Sequence, residues 1–161
     1  MVTVYHAKNT RSIRVLWTLE ELGVKADVRT LPFPPSKLQP DYLSVNPTGT
    51  VPTLIDGPVR LTESMAICEY LAAKYDSSLL VAPGDPARTE FVQWLWYGES
   101  TLMTPLSRRA TVTRLQRKGP DIDAVLEDAA HNTGVRLVAL EQRLEGRDFL
   151  VAGRLTLADI S

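Results

Sequence analysis

Apolar positions alternate with polar ones at the start of the chain. Val2 and Val4 do so up to His6, the pattern of a short half-buried strand. From Asn9 to Gly23 the period lengthens. Ile13, Leu16 and Trp17 form one apolar stripe and Val15, Leu19 and Leu22 another beside it, which predicts a helix covered on more than one side. Gly23 is placed to end it in a left-handed C-terminal turn. "ADVRTL" (26–31) predicts a second strand, and "LPFPPSKLQP" an irregular, proline-rich run on the surface. "TVPTLID" and "PVRLTE" read as two strands joined at Asp56–Gly57, a hairpin signal. "SMAICEYLAAKY" then predicts a helix with Ile67 and Leu71 on one face.

After Tyr75 only helical spacing is found. "DSSLLVAPGDPARTE" reads as a linker, with Asp85 as an N-cap and Pro86 as a first helical residue. "ARTEFVQWLWYGESTLMTPL" predicts a helix ending or kinking near Pro105. A second begins near Pro120, carries Leu126, Ala130, Thr133, Leu137, Leu140 and Leu144 at helical spacing, and stops at Gly146. Near the end, Thr156 and Asp159 fit a variant capping box, with Leu155 and Ile160 placed to pack around it. The expected organisation is an α/β domain at 1–76, a linker at 77–86 and an all-α domain at 87–161.

Composition narrows the function classes. The 161 residues carry a formal charge of −1, with 44% hydrophobic and 23% charged residues, as in a soluble globular protein. Acids and bases are mixed in both halves, so no basic block points to nucleic acid. The single cysteine, Cys68, excludes an internal disulfide and fits a reducing compartment. The first residues lack the apolar region of a signal peptide, and no stretch is long enough to span a membrane. The expectation is a cytoplasmic protein with no nucleic-acid or membrane partner.

Three short stretches carry candidate chemistry. In "NPTGTVPTLIDGP" (46–58), Pro52 has no N–H to give a strand ladder. One reading is an edge-strand proline in trans. The other is a cis Val51–Pro52 bond at the strand entrance, which turns the Val51 backbone N–H and C=O toward a ligand as though toward one more strand. "LTES" (61–64) opens a helix straight after a strand. Its free N–H groups and dipole favour a carboxylate, Ser64 can donate to one, and Glu63 can hold an ammonium group. The alternative is that Thr62 or Ser64 simply caps the helix. "KNTRS" (8–12) places Thr10 and Ser12 at the next helix start, where hydroxyl donors and positive potential lower a thiol pKa; capping is again the alternative.

A peptide-like ligand, an amino-acid head group and a stabilised thiolate together describe glutathione. In "NTRSIRVLWTLEELG", "NPTGTVPTL", "LTESMAICEYLAAKY" and "LTLADIS" the chain resembles the cytosolic glutathione S-transferases, of a bacterial type with a serine- or threonine-like active site. The resemblance covers the whole chain. It implies a thioredoxin-like N-terminal domain (βαβ-ββα) followed by a helical C-terminal domain, here incomplete, and a homodimer. It implies a cis Val51–Pro52 bond, pairing of Val51 with the cysteinyl part of glutathione, and Glu63 and Ser64 on the γ-glutamyl end. Thr10 falls nearest the family's activating hydroxyl, Ser12 is the close alternative, and Tyr5 is a third choice read more readily as core.

The implied activity is glutathione transfer to small hydrophobic electrophiles, with glutathione as co-substrate and no metal. The alternatives are a glutathione-dependent isomerase or dehalogenase, or a non-catalytic binder of the same fold. Phe91, Trp94, Tyr97 and Met103 can contribute to the family's greasy pocket but are mostly expected in the core. Three departures stand out. Thr50 replaces the long polar residue many members carry, leaving Lys37 or Gln39 to reach the glycyl end. Threonine stands at the activating position. And the chain stops at a helix start signal, so it is expected to be a fragment that is unstable or aggregates on its own. His6 and His131 lie far apart and read as strand or surface residues. Cys68, inside a helix and in no CxxC motif, reads as no nucleophile.

Overall fold

The computed structural model describes residues 1–161. Residues 1–80 form one compact unit and residues 81–159 a second, the division falling in the irregular stretch after Tyr75.

In the first unit, β1 (Val2–His6), α1 (Ser12–Glu21) and β2 (Ala26–Thr30) are followed by α2 (Pro35–Leu38) and a 3-10 helix (Pro40–Ser44). β3 (Thr53–Asp56), β4 (Val59–Thr62) and α3 (Ser64–Lys74) complete it. The strands form one sheet in the order β2-β1-β3-β4, with β1 parallel to β2 and the other pairs antiparallel. That βαβ-ββα order is thioredoxin-like. Alternation turns Val2, Val4 and His6 to one face of β1 and Thr3 and Tyr5 to the other. His6 meets Ser12 of α1, whereas Tyr5 packs 5.2 Å from the Tyr42 ring of the 3-10 helix. α1 packs on α3, and the core between them and the sheet holds Val4, Val15, Leu19, Leu54, Ile67 and Leu71.

Several expectations need correction. The "LPFPPSKLQP" run contains α2 rather than being wholly irregular. The hairpin turns at Gly57–Pro58, one residue later than read, because Asp56 pairs with Val59 and Gly57 supplies the positive φ of 58°. On α1 the buried side chains are Ser12, Arg14, Val15, Thr18 and Leu19. Ile13 and Trp17 are 59% and 43% exposed, so α1 is not covered on their side. The inward face carries polar groups, of which Ser12 and Arg14 find partners inside, as described below. α1 ends as expected, with the Gly23 N–H on the Glu20 carbonyl and the Val24 N–H on the Leu19 carbonyl.

The second unit is helical: α4 (Arg88–Trp96), a π-helical segment (Tyr97–Leu102), α5 (Met103–Leu115), α6 (Pro120–Leu144) and α7 (Leu157–Ile160). The helix does not end at Pro105. That proline is the third residue of α5, which continues directly from the π segment, and the irregularity expected near it falls just before it, in that segment. Phe91 and Trp94 are core residues, Met103 is half-buried, and the Tyr97 hydroxyl donates to the Arg136 carbonyl at 2.9 Å. α6 packs on α5, and its buried residue is Ala129. Ala130 and Leu137 of the expected stripe are therefore exposed, as are Val135 and Val138. At α7, the Thr156 hydroxyl accepts from the Ala158 N–H and Asp159 accepts from the Thr156 N–H, closing the expected capping box.

Candidate functional site

The sheet register gathers the three candidate stretches. Tyr5 pairs with Thr53, and Thr53 with Thr62, so these residues form one row across the sheet. The β1–α1 turn with Thr10 and Ser12, the entrance to β3 with Val51 and Pro52, and the exit of β4 into Glu63 and Ser64 all leave from that end. His6 pairs with Thr30, so the loop after β2 carrying Lys37 and Gln39 starts there too.

The Val51 segment is held by Asn46, a buried residue the sequence reading did not single out. Its Nδ2 donates to the Thr50 carbonyl at 2.8 Å and to Thr53 Oγ1 at 3.1 Å. Its Oδ1 accepts from the Thr48 N–H at 3.0 Å and the Thr48 hydroxyl at 2.8 Å. The Tyr42 hydroxyl lies 2.7 Å from the same Thr50 carbonyl and 2.6 Å from Thr53 Oγ1. A buried amide with its groups matched this way fixes a loop in one conformation. The Val51–Pro52 peptide is cis, Pro52 is buried just before β3, and Val51 stays half-exposed. Thr50 is exposed. Gly49, at φ 63°, brings this loop against α2: a Cβ there would stand 2.5 Å from Ser36 Cβ. That contact sets Lys37, next in the chain, on the neighbouring surface. Lys37 and Gln39 are both exposed.

At the β1–α1 turn, Thr10 is half-buried and Ser12 fully buried. Thr10 Oγ1 lies 2.7 Å from the Ala7 carbonyl and 2.6 Å from Ser12 Oγ, which in turn lies 2.8 Å from His6 Nδ1. Burial lowers the His6 pKa below its ordinary value. Tyr5, on the opposite face of β1, is turned from this cluster toward Arg29 and Tyr42.

At the start of α3, Glu63 takes a positive φ of 68° and makes no side-chain cap, and Ser64 is the first helical residue. Neither Thr62 nor Ser64 is the N-cap. Ser64 Oγ instead accepts a hydrogen bond from Arg14 Nη1 at 3.1 Å. Arg14 is buried, and loss of water lowers its pKa to about 10, so it remains cationic at neutral pH. The sequence reading missed it, since it sits among apolar helix positions and meets a residue fifty places away. A buried cation behind a helix start favours an anion there. One turn into α3, Cys68 is fully buried and its thiol is pushed up to about 11, chiefly by burial, so it is not a thiolate nucleophile. His131 lies exposed on α6, and no group of three or more His, Cys, Asp or Glu is placed to hold a metal ion.

Residues 10–74 match the family profile described as the N-terminal domain of glutathione S-transferase. Glutathione S-transferase 1 of Schizosaccharomyces pombe is 32% identical over 97% of this chain and 70% of its own length. Glutathione S-transferase 3 of the same yeast is 35% identical over 64% of this chain and 43% of its own length, so the chain spans less than half of that relative. Among solved structures, glutathione transferase URE2P6 from Phanerochaete chrysosporium, in complex with oxidized glutathione, superposes with a TM-score of 0.86 at 32% identity. That match covers 99% of this chain and 75% of the other.

Proposed function

The chain belongs to the glutathione S-transferase family, and on that premise we propose that it binds glutathione at this end of the sheet and activates its thiol. The observation that supports this best is the row Tyr5–Thr53–Thr62, which brings a half-exposed backbone edge, a helix start backed by a buried cation and a pair of hydroxyls to one place. In this reading the Val51 backbone pairs with the cysteinyl residue in the manner of an added strand. Ser64 and the α3 N-terminus receive the γ-glutamyl carboxylate, and Glu63 its ammonium. Thr50, Lys37 and Gln39 flank the glycyl end.

Thr10 is the better of the two hydroxyls for the thiol. It is partly exposed, whereas Ser12 is sealed behind it and acts through it. A free thiol with a pKa near 8.5 is only a few per cent ionised at neutral pH. Donation from Thr10 and the potential of the α1 start would lower that by one or two units, roughly 1.4–2.7 kcal/mol. The thiolate would then attack the electrophilic carbon of a small hydrophobic substrate. From the family reading also follow a homodimer, checked by sedimentation, and a cytoplasmic setting; no helix is long and apolar enough to cross a membrane.

Glutathione titrated by calorimetry, with thiolate absorbance followed in parallel, tests the proposal. Binding with a thiolate band is expected, and Thr10→Ala should keep most binding but cut turnover of a model electrophile roughly a hundredfold. Absence of binding to a folded chain would reject the proposal. Binding with no thiolate band would favour a ligand-holding protein of the same fold.

A further inference from the structure

Arg14 is a charged residue held inside the fold. It stands in the first turn of α1 with 5% of its surface exposed. Taking a cation out of water is costly, so its place there calls for a reason. α1 packs on α3, and across that contact Arg14 Nη1 donates to Ser64 Oγ at 3.1 Å. A guanidinium donates hydrogen bonds and accepts none. Ser64 Oγ is therefore the acceptor in this bond, and its own proton points away from Arg14. Ser64 is the first residue of α3, where a helix leaves backbone N–H groups without partners, and Glu63 before it supplies no side-chain cap. Granted that this helix start receives the γ-glutamyl end, the reading on which this rests, we infer that Arg14 is a positioning residue that makes the site selective for the α-carboxylate of glutathione. It fixes the Ser64 hydroxyl as a donor and backs it with charge.

Packing alone does not need a guanidinium at this position. Val15 and Leu19 of α1 and Ile67 and Leu71 of α3 fill the same layer with apolar groups. A methionine of similar length would fill the space of the Arg14 stem, but it could neither donate to Ser64 nor carry charge. The charge itself persists. Burial lowers the Arg14 pKa to about 10, with Arg11 acting in the same direction and Cys68 against it, which leaves the group cationic at neutral pH. A carboxylate that accepts from Ser64 therefore completes a chain running from cation to hydroxyl to anion, each bond pointing toward the negative charge. A ligand without that carboxylate leaves an oriented donor unanswered, and a site built this way rejects it strongly. Ser12 stands two residues before Arg14 in the same helical turn. The residue that sets the γ-glutamyl end is thus carried on the turn that also presents the hydroxyls proposed for the thiol, which fixes the two ends relative to each other.

Two ligands that differ at one group test this: glutathione, and the same peptide without the α-carboxylate of its γ-glutamyl residue (γ-aminobutyryl-cysteinylglycine). Each is titrated into the chain by calorimetry at neutral pH. The native chain should bind glutathione about ten- to a hundredfold more tightly than the analogue. Arg14→Met keeps the stem and loses charge and donor. It should bring the two affinities to within about threefold, by weakening glutathione while leaving the analogue nearly unchanged. In a Ser64→Ala chain the same substitution should reduce the preference little further, because Arg14 acts through that hydroxyl. A purely structural arginine would weaken both ligands alike. Equal weakening by Arg14→Met, a preference that survives it, or a full further loss in the Ser64→Ala chain would overturn the inference and leave glutathione binding standing. So would a native chain that bound both ligands equally. Should Arg14→Met fail to fold, Arg14→Gln, which keeps an amide donor without charge, decides in its place: the preference should fall several-fold, and an unchanged preference would overturn the inference. No binding of glutathione by the folded native chain would remove the function reading itself, and the role of Arg14 with it.

Discussion

In residues 1–80 the buried polar side chains are Ser12, Arg14, Thr18, Asn46, Thr53 and Ser64. Most are tied across elements: Arg14 of α1 to Ser64 of α3, Asn46 to Thr53, and Ser12 to His6 of β1. In residues 81–161 the buried set is Phe91, Trp94, Leu95, Ala129 and other apolar groups, with Thr156 as its buried polar member, tied within its own capping box. Burying polar groups is costly unless they are paired, so a fold keeps them inside where their placement matters. The first unit uses them to fix loop ends and helix starts at one end of a sheet. The second is held by ordinary side-chain packing.

The sharpest way to break this contrast is to damage each unit by a similar amount and compare binding. Phe91→Ala removes a fully buried ring and should cost about 3–5 kcal/mol by chemical denaturation, while the molecules that stay folded bind glutathione with nearly unchanged affinity. Asn46→Ala should cost less, about 3 kcal/mol, since it leaves the Thr50 carbonyl and the Thr53 hydroxyl without their amide donor. Yet it should weaken glutathione binding by about tenfold or more, because Val51 loses its fixed presentation. Asn46→Asp should do as much harm, its carboxylate facing the Thr50 carbonyl. A result in which Phe91→Ala abolished binding and Asn46→Ala spared it would reverse the contrast.

The sequence was legible where local rules agree with the fold. Period-two runs marked β1 and the β3–β4 hairpin, Gly23 and Gly146 marked helix ends, and Thr156 with Asp159 marked a helix start. Thr10, Ser12, Val51 and Ser64 could be named because each stands at an element boundary, where local chemistry can be read. Asn46 and Arg14 could not. Asn46 reads as a turn residue, and its partner Thr53 becomes evident only once the loop closes. Arg14 reads as the exposed side of an amphipathic helix, and only the packing of α1 on α3 turns it inward. The same reversal left Ile13 and Trp17 outside. Patterning fails where buried polar groups displace apolar ones, the condition of a site rather than of a core.

A smaller effect, of opposite kind, concerns Cys68. Its folded-state thiol holds its proton to about 11, whereas an unfolded thiol loses it near 8.5. Stability from this group is therefore fully present below about pH 8.5 and declines as pH rises toward the folded value, by about 1.4 kcal/mol per unit. Urea unfolding of the native chain and of Cys68→Ala, compared between about pH 8 and pH 10, should show a slope difference of that order. Equal slopes would mean that the thiol is wetter than its position between α1 and α3 implies.

The smallest expected effect sits in the second unit. Thr156 is buried, accepts from the Ala158 N–H at 3.2 Å and donates to Asp159 Oδ2 at 2.9 Å. Asp159 also holds the Leu150 N–H at 2.8 Å, so the box fixes the approach to α7 as well as its start. Thr156→Ala should cost about 1 kcal/mol, within the usual range for losing a cap, and Thr156→Ser should recover most of it. Neither should change glutathione affinity, whereas Ser64→Ala, at the start of α3, also takes an acceptor from buried Arg14 and should lower affinity even among the molecules that stay folded. Each helix start carries a buried hydroxyl. At α7 the hydroxyl is consumed by its own backbone and serves stability. At α3 the backbone takes no cap from Ser64, whose oxygen faces a buried cation and stays available to a carboxylate. If Ser64→Ala instead destabilised the chain as Thr156→Ala does and left binding intact, Ser64 would be a structural hydroxyl like its counterpart, and the carboxylate would have to be held elsewhere.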